Sequence, residues 1–181
     1  MVGKWQVGSN DPIAQVWNKF DGATGKVVNI SDAIGYPMFM ESYDKPAPAP
    51  AYGIAGWTAD GNNVFLYDAY DWWKIDLTGE RQPECLTKGY GRKHGKSIRK
   101  MTSNIDKDVF QKDEKVIVSL WDKDTMDEGV YQLDMKGRLR KLMEGNYVYT
   151  IHRFSDNHEY CVWNRQNVSE FRDLWWSKSD F

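Results

Sequence analysis

The sequence predicts an all-β fold, and three observations support this prediction. Short stretches rich in aromatic and β-branched residues recur along the 181-residue chain, and turn-forming Asp, Asn and Gly separate them. No window keeps apolar residues at a helical spacing over several turns, so long helices are not expected. One strand-and-turn phrase is repeated along the chain, which indicates a repeated structural unit.

The strands are predicted in chain order as four groups. Residues 1–31 supply three strands, written GKWQVG, AQVWNKF and KVVNIS. A proline-rich segment at 44–53 favours an extended chain and leads into the next group. Residues 52–87 supply four strands, residues 96–143 supply four more, and residues 147–177 supply three.

The repeated phrase is clearest at WKIDLTG (73–79) and YQLDMKG (131–137), with a looser copy at NKFDGATG (18–25). Each intact copy follows a hydrophobic strand and an acidic turn. The phrase starts again in the stretch 161–176. Units of about four strands at an irregular period of roughly 45 to 60 residues are typical of β-propeller blades.

We therefore expect a segment of an incomplete β-propeller, with about three to four four-stranded antiparallel blades. The predicted boundaries are a partial blade at 1–45, blades at 46–90 and 91–146, and a partial blade at 147–181. The first repeat lacks its innermost strand and the last repeat lacks its outermost strand. Open ends expose apolar faces, so two copies are expected to associate, either as a homodimer through these ends or nonspecifically.

The chain is rich in aromatic residues, with nine Trp, ten Tyr and seven Phe. The adjacent Trp72 and Trp73 point to opposite faces of one predicted strand. Packing between neighbouring sheets is the favoured interpretation, because both faces of a blade are covered. The alternative is an aromatic module that binds carbohydrate, which would require exposed rings at Trp72, Trp73, Trp175 and Trp176.

A basic stretch at 88–100, KGYGRKHGKSIRK, approaches the pattern of a phosphate-binding loop. That pattern requires Gly where Tyr90 stands, and a buried parallel strand should precede it. A basic connection between two blades is therefore the favoured interpretation.

An acidic stretch at 121–129 suggests calcium, but its spacing departs from that of a calcium-binding loop and favours a hairpin turn. Its acidic residues are Asp122, Asp124, Asp127 and Glu128. The three histidines share no metal-ligand spacing and are expected on turns, on the surface or on a strand. They are His94, His152 and His158.

The two cysteines, Cys85 and Cys161, are expected to be unpaired thiols in strands. Asn29 and Asn167 begin Asn-x-Ser sequons, which matter only in a host that glycosylates. From these patterns no catalytic residue, cofactor-binding residue or metal ligand is predicted.

The charge and hydropathy exclude some classes of partner. A net charge of −2 gives no general attraction to nucleic acid or to acidic membranes. No apolar run is long enough to span a bilayer, and the first residues have no apolar core of signal-peptide length. We expect a protein that stays inside the cell, or a piece of a larger protein.

Three stretches resemble the β-propeller domain of prolyl oligopeptidase-family serine peptidases, above all the bacterial dipeptidyl-peptidase-IV-like members. They are YGIAGWTADGNNVFLYDAYDWWKIDLTGE, LTKGYGRKHGKSIR and EFRDLWWS. The resemblance implies a larger, periplasmic or secreted parent protein. In that parent, the propeller caps an α/β-hydrolase domain with a Ser-His-Asp triad and orients peptide substrates for proteolysis.

The chain also departs from the family. The nucleophile elbow requires G-x-S-x-G, and the nearest stretch, GKSIR at 95–99, has Arg99 in place of the second Gly. The paired glutamates that bind a substrate amino terminus in the dipeptidyl peptidases are missing. We expect this chain alone to be inactive, with the hydrolase domain and peptides as its partners. The alternative is a non-catalytic propeller scaffold that binds protein partners.

Overall fold

A computed structural model describes residues 2–7, 15–101, 108–157 and 159–180 of the chain, with side chains described from residue 16 onward. The structure confirms the all-β prediction. The described residues form fifteen strands in four sheets, one 3-10 turn (Asp32–Ile34) and one short helix, α1 (Tyr90–Lys93). In this part of the chain, no helix has the length and apolarity needed to cross a membrane.

The sheets follow one another along the chain. Sheet I contains β1 (Val2–Val7), β2 (Gln15–Phe20) and β3 (Val27–Asn29). Sheet II contains β4 (Ile54–Thr58), β5 (Asn63–Tyr67), β6 (Trp72–Asp76), β7 (Glu84–Cys85) and β9 (Val109–Phe110). Sheet III contains β8 (Lys96–Lys100), β10 (Lys115–Asp122), β11 (Glu128–Asp134) and β12 (Leu139–Gly145). Sheet IV contains β13 (Val148–Phe154), β14 (Tyr160–Gln166) and β15 (Asp173–Lys178).

Sequence neighbours pair antiparallel within each sheet, with one exception. β9 pairs with β4 in parallel, through Trp57 with Val109 and Thr58 with Phe110. The close approach depends on Gly56, whose φ is +155°, because a Cβ there would lie 2.6 Å from the carbonyl oxygen of Asp108. The sequence did not predict this two-residue strand.

The core consists of three clusters that lie between consecutive sheets. Alternate residues of β5 face opposite ways, with Val64 and Leu66 toward sheet I and Phe65 and Tyr67 toward sheet III. In the same way, β11 directs Tyr131 toward sheet II and Val130 toward sheet IV. Sheets II and III are therefore covered on both faces, each by the sheet before it and the sheet after it.

Trp72 and Trp73 occupy opposite faces of β6, as predicted. Trp72 is fully buried between sheets II and III, where its ring meets Tyr67 edge-on at a centroid distance of 5.3 Å. Trp73 is half-buried and packs toward sheet I. The core interpretation is confirmed for Trp72, and Trp73 belongs to the margin of the neighbouring cluster.

Candidate functional site

Two buried aspartates organise the turn between β5 and β6. Asp68 and Asp71 are 0% and 1% exposed. One carboxylate oxygen of Asp68 accepts the backbone N–H groups of Tyr70 at 2.7 Å and Asp71 at 2.6 Å. The other oxygen accepts the Trp73 indole N–H at 3.1 Å and the Arg92 guanidinium at 3.0 Å. The acidic residues around the tryptophan pair therefore hold the local backbone and side chains in place.

Asp71 anchors the connection that follows β7. Its Oδ1 accepts the Thr87 hydroxyl at 2.6 Å and the Gly91 N–H at 2.9 Å. Its Oδ2 accepts the Arg92 N–H at 3.0 Å. A phosphate-binding loop would offer such backbone amides to a ligand. Here a carboxylate of the chain itself occupies them, which favours the structural interpretation of the basic stretch at 88–100.

Two arginines complete this cluster between sheets II and III. The Arg92 guanidinium lies 3.9 Å from the ring centroid of Tyr36, in addition to its ion pair with Asp68. Arg99 donates to the carbonyl oxygens of Ile98 at 2.8 Å and Asp68 at 2.7 Å. Burial lowers the pKa of the Arg99 guanidinium. The arginines use their donors to join the two sheets.

Arg99 also lies against two tyrosine rings. Its guanidinium carbon is 4.7 Å from the ring centroid of Tyr67 and 5.4 Å from that of Tyr52. These cation–π contacts and the carbonyl bonds hold Arg99 in place from both sheets. Arg99, which stands where the nucleophile-elbow pattern requires its second Gly, thus has a structural role.

The acidic stretch at 121–129 forms the hairpin turn that was predicted. Asp122 accepts the backbone N–H groups of Asp124 at 3.0 Å and Thr125 at 3.1 Å. Glu128 instead accepts the N–H of Tyr149 in sheet IV at 2.8 Å, and burial raises its pKa. The described residues contain no group of three or more His, Cys, Asp or Glu that could hold a metal ion.

The histidines and the cysteines do not form a common site. His94 follows α1 and lies 4.4 Å from the Tyr90 ring, while His152 lies on β13 with Nε2 2.7 Å from the Asn164 amide nitrogen. The third histidine, His158, lies outside the described residues. Both cysteines are free thiols, as predicted, and burial raises the pKa of each.

The asparagines of the two sequons lie at strand ends, Asn29 as the last residue of β3 and Asn167 directly after β14. The side-chain oxygen of Asn29 accepts the backbone N–H groups of Ser31 at 3.0 Å and Asp32 at 3.1 Å. The side-chain oxygen of Asn167 accepts the backbone N–H of Ser169 at 3.0 Å. Both amides therefore have a role in local turn structure.

Sheet IV carries three of the exposed aromatic residues in the described part of the chain, Tyr160, Trp175 and Trp176. Trp175 stacks on Trp163 of β14, with ring centroids 5.9 Å apart, and is 44% exposed. Leu174 and Trp176 point to the opposite face of the strand and are 72% and 73% exposed. Tyr160 lies beside Trp176 at a centroid distance of 5.8 Å. We call Tyr160, Leu174, Trp175 and Trp176 the β15 surface.

The β15 surface is the candidate functional site of the chain. Beside it is a shallow cleft of about 460 Å³, whose lining includes the apolar Phe154, Val162 and Trp176 and the charged Arg153 and Asp156. The surface provides apolar and aromatic contacts and contains no arrangement of nucleophile and base. It is suited to binding a macromolecular partner.

The sequence identified half of this surface. Trp175 and Trp176 were named, together with Trp72 and Trp73, as the rings that a carbohydrate-binding module would need exposed, and the burial of Trp72 excludes a platform of all four. Leu174 and Tyr160 were not named as site residues. Their alternation with inward-facing residues places them on the same face as Trp176, but this pattern does not reveal whether another sheet covers that face.

Comparison of the chain with protein-family models, with curated proteins and with solved structures finds no match.

Proposed function

We propose that the chain is the β-propeller segment of a prolyl oligopeptidase-family serine peptidase of the dipeptidyl-peptidase-IV-like kind. In this role it caps an α/β-hydrolase catalytic domain and helps to orient peptide substrates. The observation that carries the proposal is the order of the sheets. Sheets II and III each pack on both faces against the sheet before and the sheet after, which is how propeller blades bury their surfaces.

The repeated phrase supports the same proposal. In sheet II it falls on β6, and in sheet III it falls on β11, so the two copies occupy the same position in their sheets. The aligned residues of the two copies also face the same way: Trp73 and Ile75 pack toward sheet I, and Tyr131 and Leu133 pack toward sheet II, in each case the preceding sheet. A repeated sequence in repeated positions favours blades over an unrelated stack of sheets.

The internal contacts of the polar residues favour a cap over a catalytic role. Asp68 and Asp71 are saturated by hydrogen bonds from the chain itself, and Arg99 binds backbone carbonyls. A catalytic acid or base would need a free face toward a substrate. In this proposal the chemistry belongs to the hydrolase domain of the parent protein.

The gene sequence beyond the codon for Phe181 tests the proposal. We expect it to encode G-x-S-x-G, followed by an Asp and a His that complete a triad. The longer protein should react with a fluorophosphonate probe at that serine and should cleave proline-containing dipeptidyl substrates. A downstream sequence without this motif, or a longer protein without a reactive serine, would exclude the peptidase role.

A second candidate function is a non-catalytic propeller scaffold that binds protein partners. The β15 surface favours it, because Leu174 and Trp176 expose apolar side chains on one face of the last strand of sheet IV, and exposed apolar patches often mark protein-binding sites. The gene sequence separates the two candidates, since a scaffold requires no hydrolase domain. A homodimer through open ends stays a prediction.

A further inference from the structure

We infer that the outer edge of β15 binds an extended peptide strand, which adds to sheet IV antiparallel to β15 as a fourth strand. The partner is a short segment with apolar side chains on both of its faces. This inference rests on strand order and exposure within the four sheets. It does not depend on the peptidase role.

In sheets II and III, a further strand of the same chain occupies the outer edge of the third strand. In sheet II, β6 is the third strand along the chain and pairs with β7, through Trp73 with Cys85. In sheet III, β11 is the third strand and pairs with β12, from Leu133 with Leu139 to the far end of both strands. In sheet IV, the third strand is β15, and among the described residues it pairs with β14 alone.

The backbone of β15 supplies the hydrogen bonds for such a strand. In an antiparallel strand, alternate residues direct their N–H and C=O groups to opposite edges. About three of the six residues of β15 therefore present both groups outward. An edge of this kind is a ready template for another strand.

The side chains of β15 supply apolar contacts on both faces of the added strand. Leu174 and Trp176 flank the edge on one face, and Trp175, held against Trp163, flanks it on the other. Strand addition obtains its affinity from backbone hydrogen bonds and its specificity from such alternating contacts. β12, which occupies this position in sheet III, also carries apolar side chains on both faces, since Leu139 packs toward sheet II while Leu142 packs toward sheet IV.

The size of the surface favours a single strand over a second copy of the chain. Three exposed side chains of this kind offer on the order of 400 Å² of apolar area. A stable protein dimer buries about 800 Å² on each partner. One strand needs less apolar area, because the backbone bonds contribute the rest.

The test uses a synthetic peptide with the sequence of residues 138–145, RLRKLMEG, which contains β12. Amide hydrogen exchange of the 181-residue chain is measured with and without millimolar peptide. We expect slower exchange at residues 173–178 and little change at the edges of the other sheets. The control peptide has the same sequence with N-methyl groups at alternate residues, so that it cannot donate to the edge. We expect it to bind at least about ten-fold more weakly.

A pair of variants tests the side-chain contacts. Leu174→Lys places a charge on the β15 surface and is expected to weaken peptide binding about ten-fold. Met126→Lys changes another exposed apolar residue, on the turn between β10 and β11, and is expected to leave binding unchanged. If Leu174→Lys does not fold, the two peptides on the unmodified chain still decide the question.

Three results would overturn the inference. The first is unchanged exchange at residues 173–178 with peptide present. The second is equal binding of the methylated and unmethylated peptides. The third is protection of β15 that grows with protein concentration in the absence of peptide, which would assign the edge to a second copy of the chain.

Discussion

Trp72→Ala tests whether the tryptophan pair serves the core of the protein. The ring of Trp72 lies between sheets II and III and packs against Phe65, Tyr67 and Phe110, at centroid distances of 6.4, 5.3 and 6.3 Å. Its indole N–H donates to the Ile98 carbonyl at 3.2 Å. The substitution removes the largest side chain among the fully buried residues.

The expected loss of stability comes mainly from the cavity. Replacing a buried Trp by Ala costs about 3–5 kcal/mol, because the surroundings relax only in part. The lost hydrogen bond adds little, since the Ile98 carbonyl keeps the Arg99 donor at 2.8 Å. The total stability of a domain is about 5–15 kcal/mol, so the variant loses a large share of it. For a chain of this length the melting temperature should fall by roughly 6 to 20 °C.

Urea unfolding followed by circular dichroism measures the change, with Trp176→Ala as the matched control. Trp176 is a tryptophan on an exposed strand face, and its removal should alter the free energy of unfolding by no more than about 0.5 kcal/mol. A Trp72→Ala variant that melts within a few degrees of the unmodified chain would refute the packing of sheet II against sheet III through this ring.

Three further predictions concern the polar residues and the chemistry of the chain. Asp71→Asn removes one of the two carboxylate acceptors that hold the segment with Thr87 and Gly91. It should lower the free energy of unfolding by about 1–3 kcal/mol. The control Asp124→Asn, at an exposed position, should change the free energy of unfolding by less than about 0.5 kcal/mol. Burial raises the pKa of Glu128 above its usual 4.5, so its contribution to stability falls as the pH rises through the folded pKa. Glu128→Gln keeps an acceptor for the Tyr149 N–H and should become more stable relative to the unmodified chain between pH 4.5 and neutral pH, as urea unfolding across that range would show. Finally, the 181-residue chain should remain unlabelled by a fluorophosphonate probe in mass spectrometry.

Each of these predictions has a contrary result. Equal changes in the free energy of unfolding for the two aspartate substitutions would contradict the structural role of Asp71. A constant difference in stability across the pH range would show that Glu128 does not titrate differently in the folded and unfolded chain. Stoichiometric labelling of any serine would contradict the expectation that this chain lacks peptidase chemistry.

The sequence predicted those features that depend on a local period of two. Adjacent residues alone determine that Trp72 and Trp73 face opposite ways. The same holds for the acidic hairpin between β10 and β11. The short helix α1 was not predicted, because Asp71, far from it along the chain, holds its first amides. β9 was missed for a similar reason, since two residues have no pattern of their own and their pairing depends on Gly56.

The candidate site could be predicted only in part, because exposure is a property of the whole fold. Trp72 and Trp176 look alike in the sequence, each beside a second tryptophan on a predicted strand. Sheet III covers the first, and no described sheet covers the second. The period of a strand identifies its faces, but the neighbour of each face is decided by sheets distant in sequence.

The cluster of Asp68, Asp71, Arg92 and Arg99 has a consequence for the way the chain opens. Because these residues link the turn after β5 to α1 and β8, sheet II cannot separate from sheet III without breaking several partly buried hydrogen bonds that involve charged groups. The two central sheets should therefore open as one cooperative unit, with the slowest amide exchange in the protein. Among the residues whose side chains are described, no such cluster lies on the outer sides of sheets I and IV, so transient openings should begin there and leave the central pair intact.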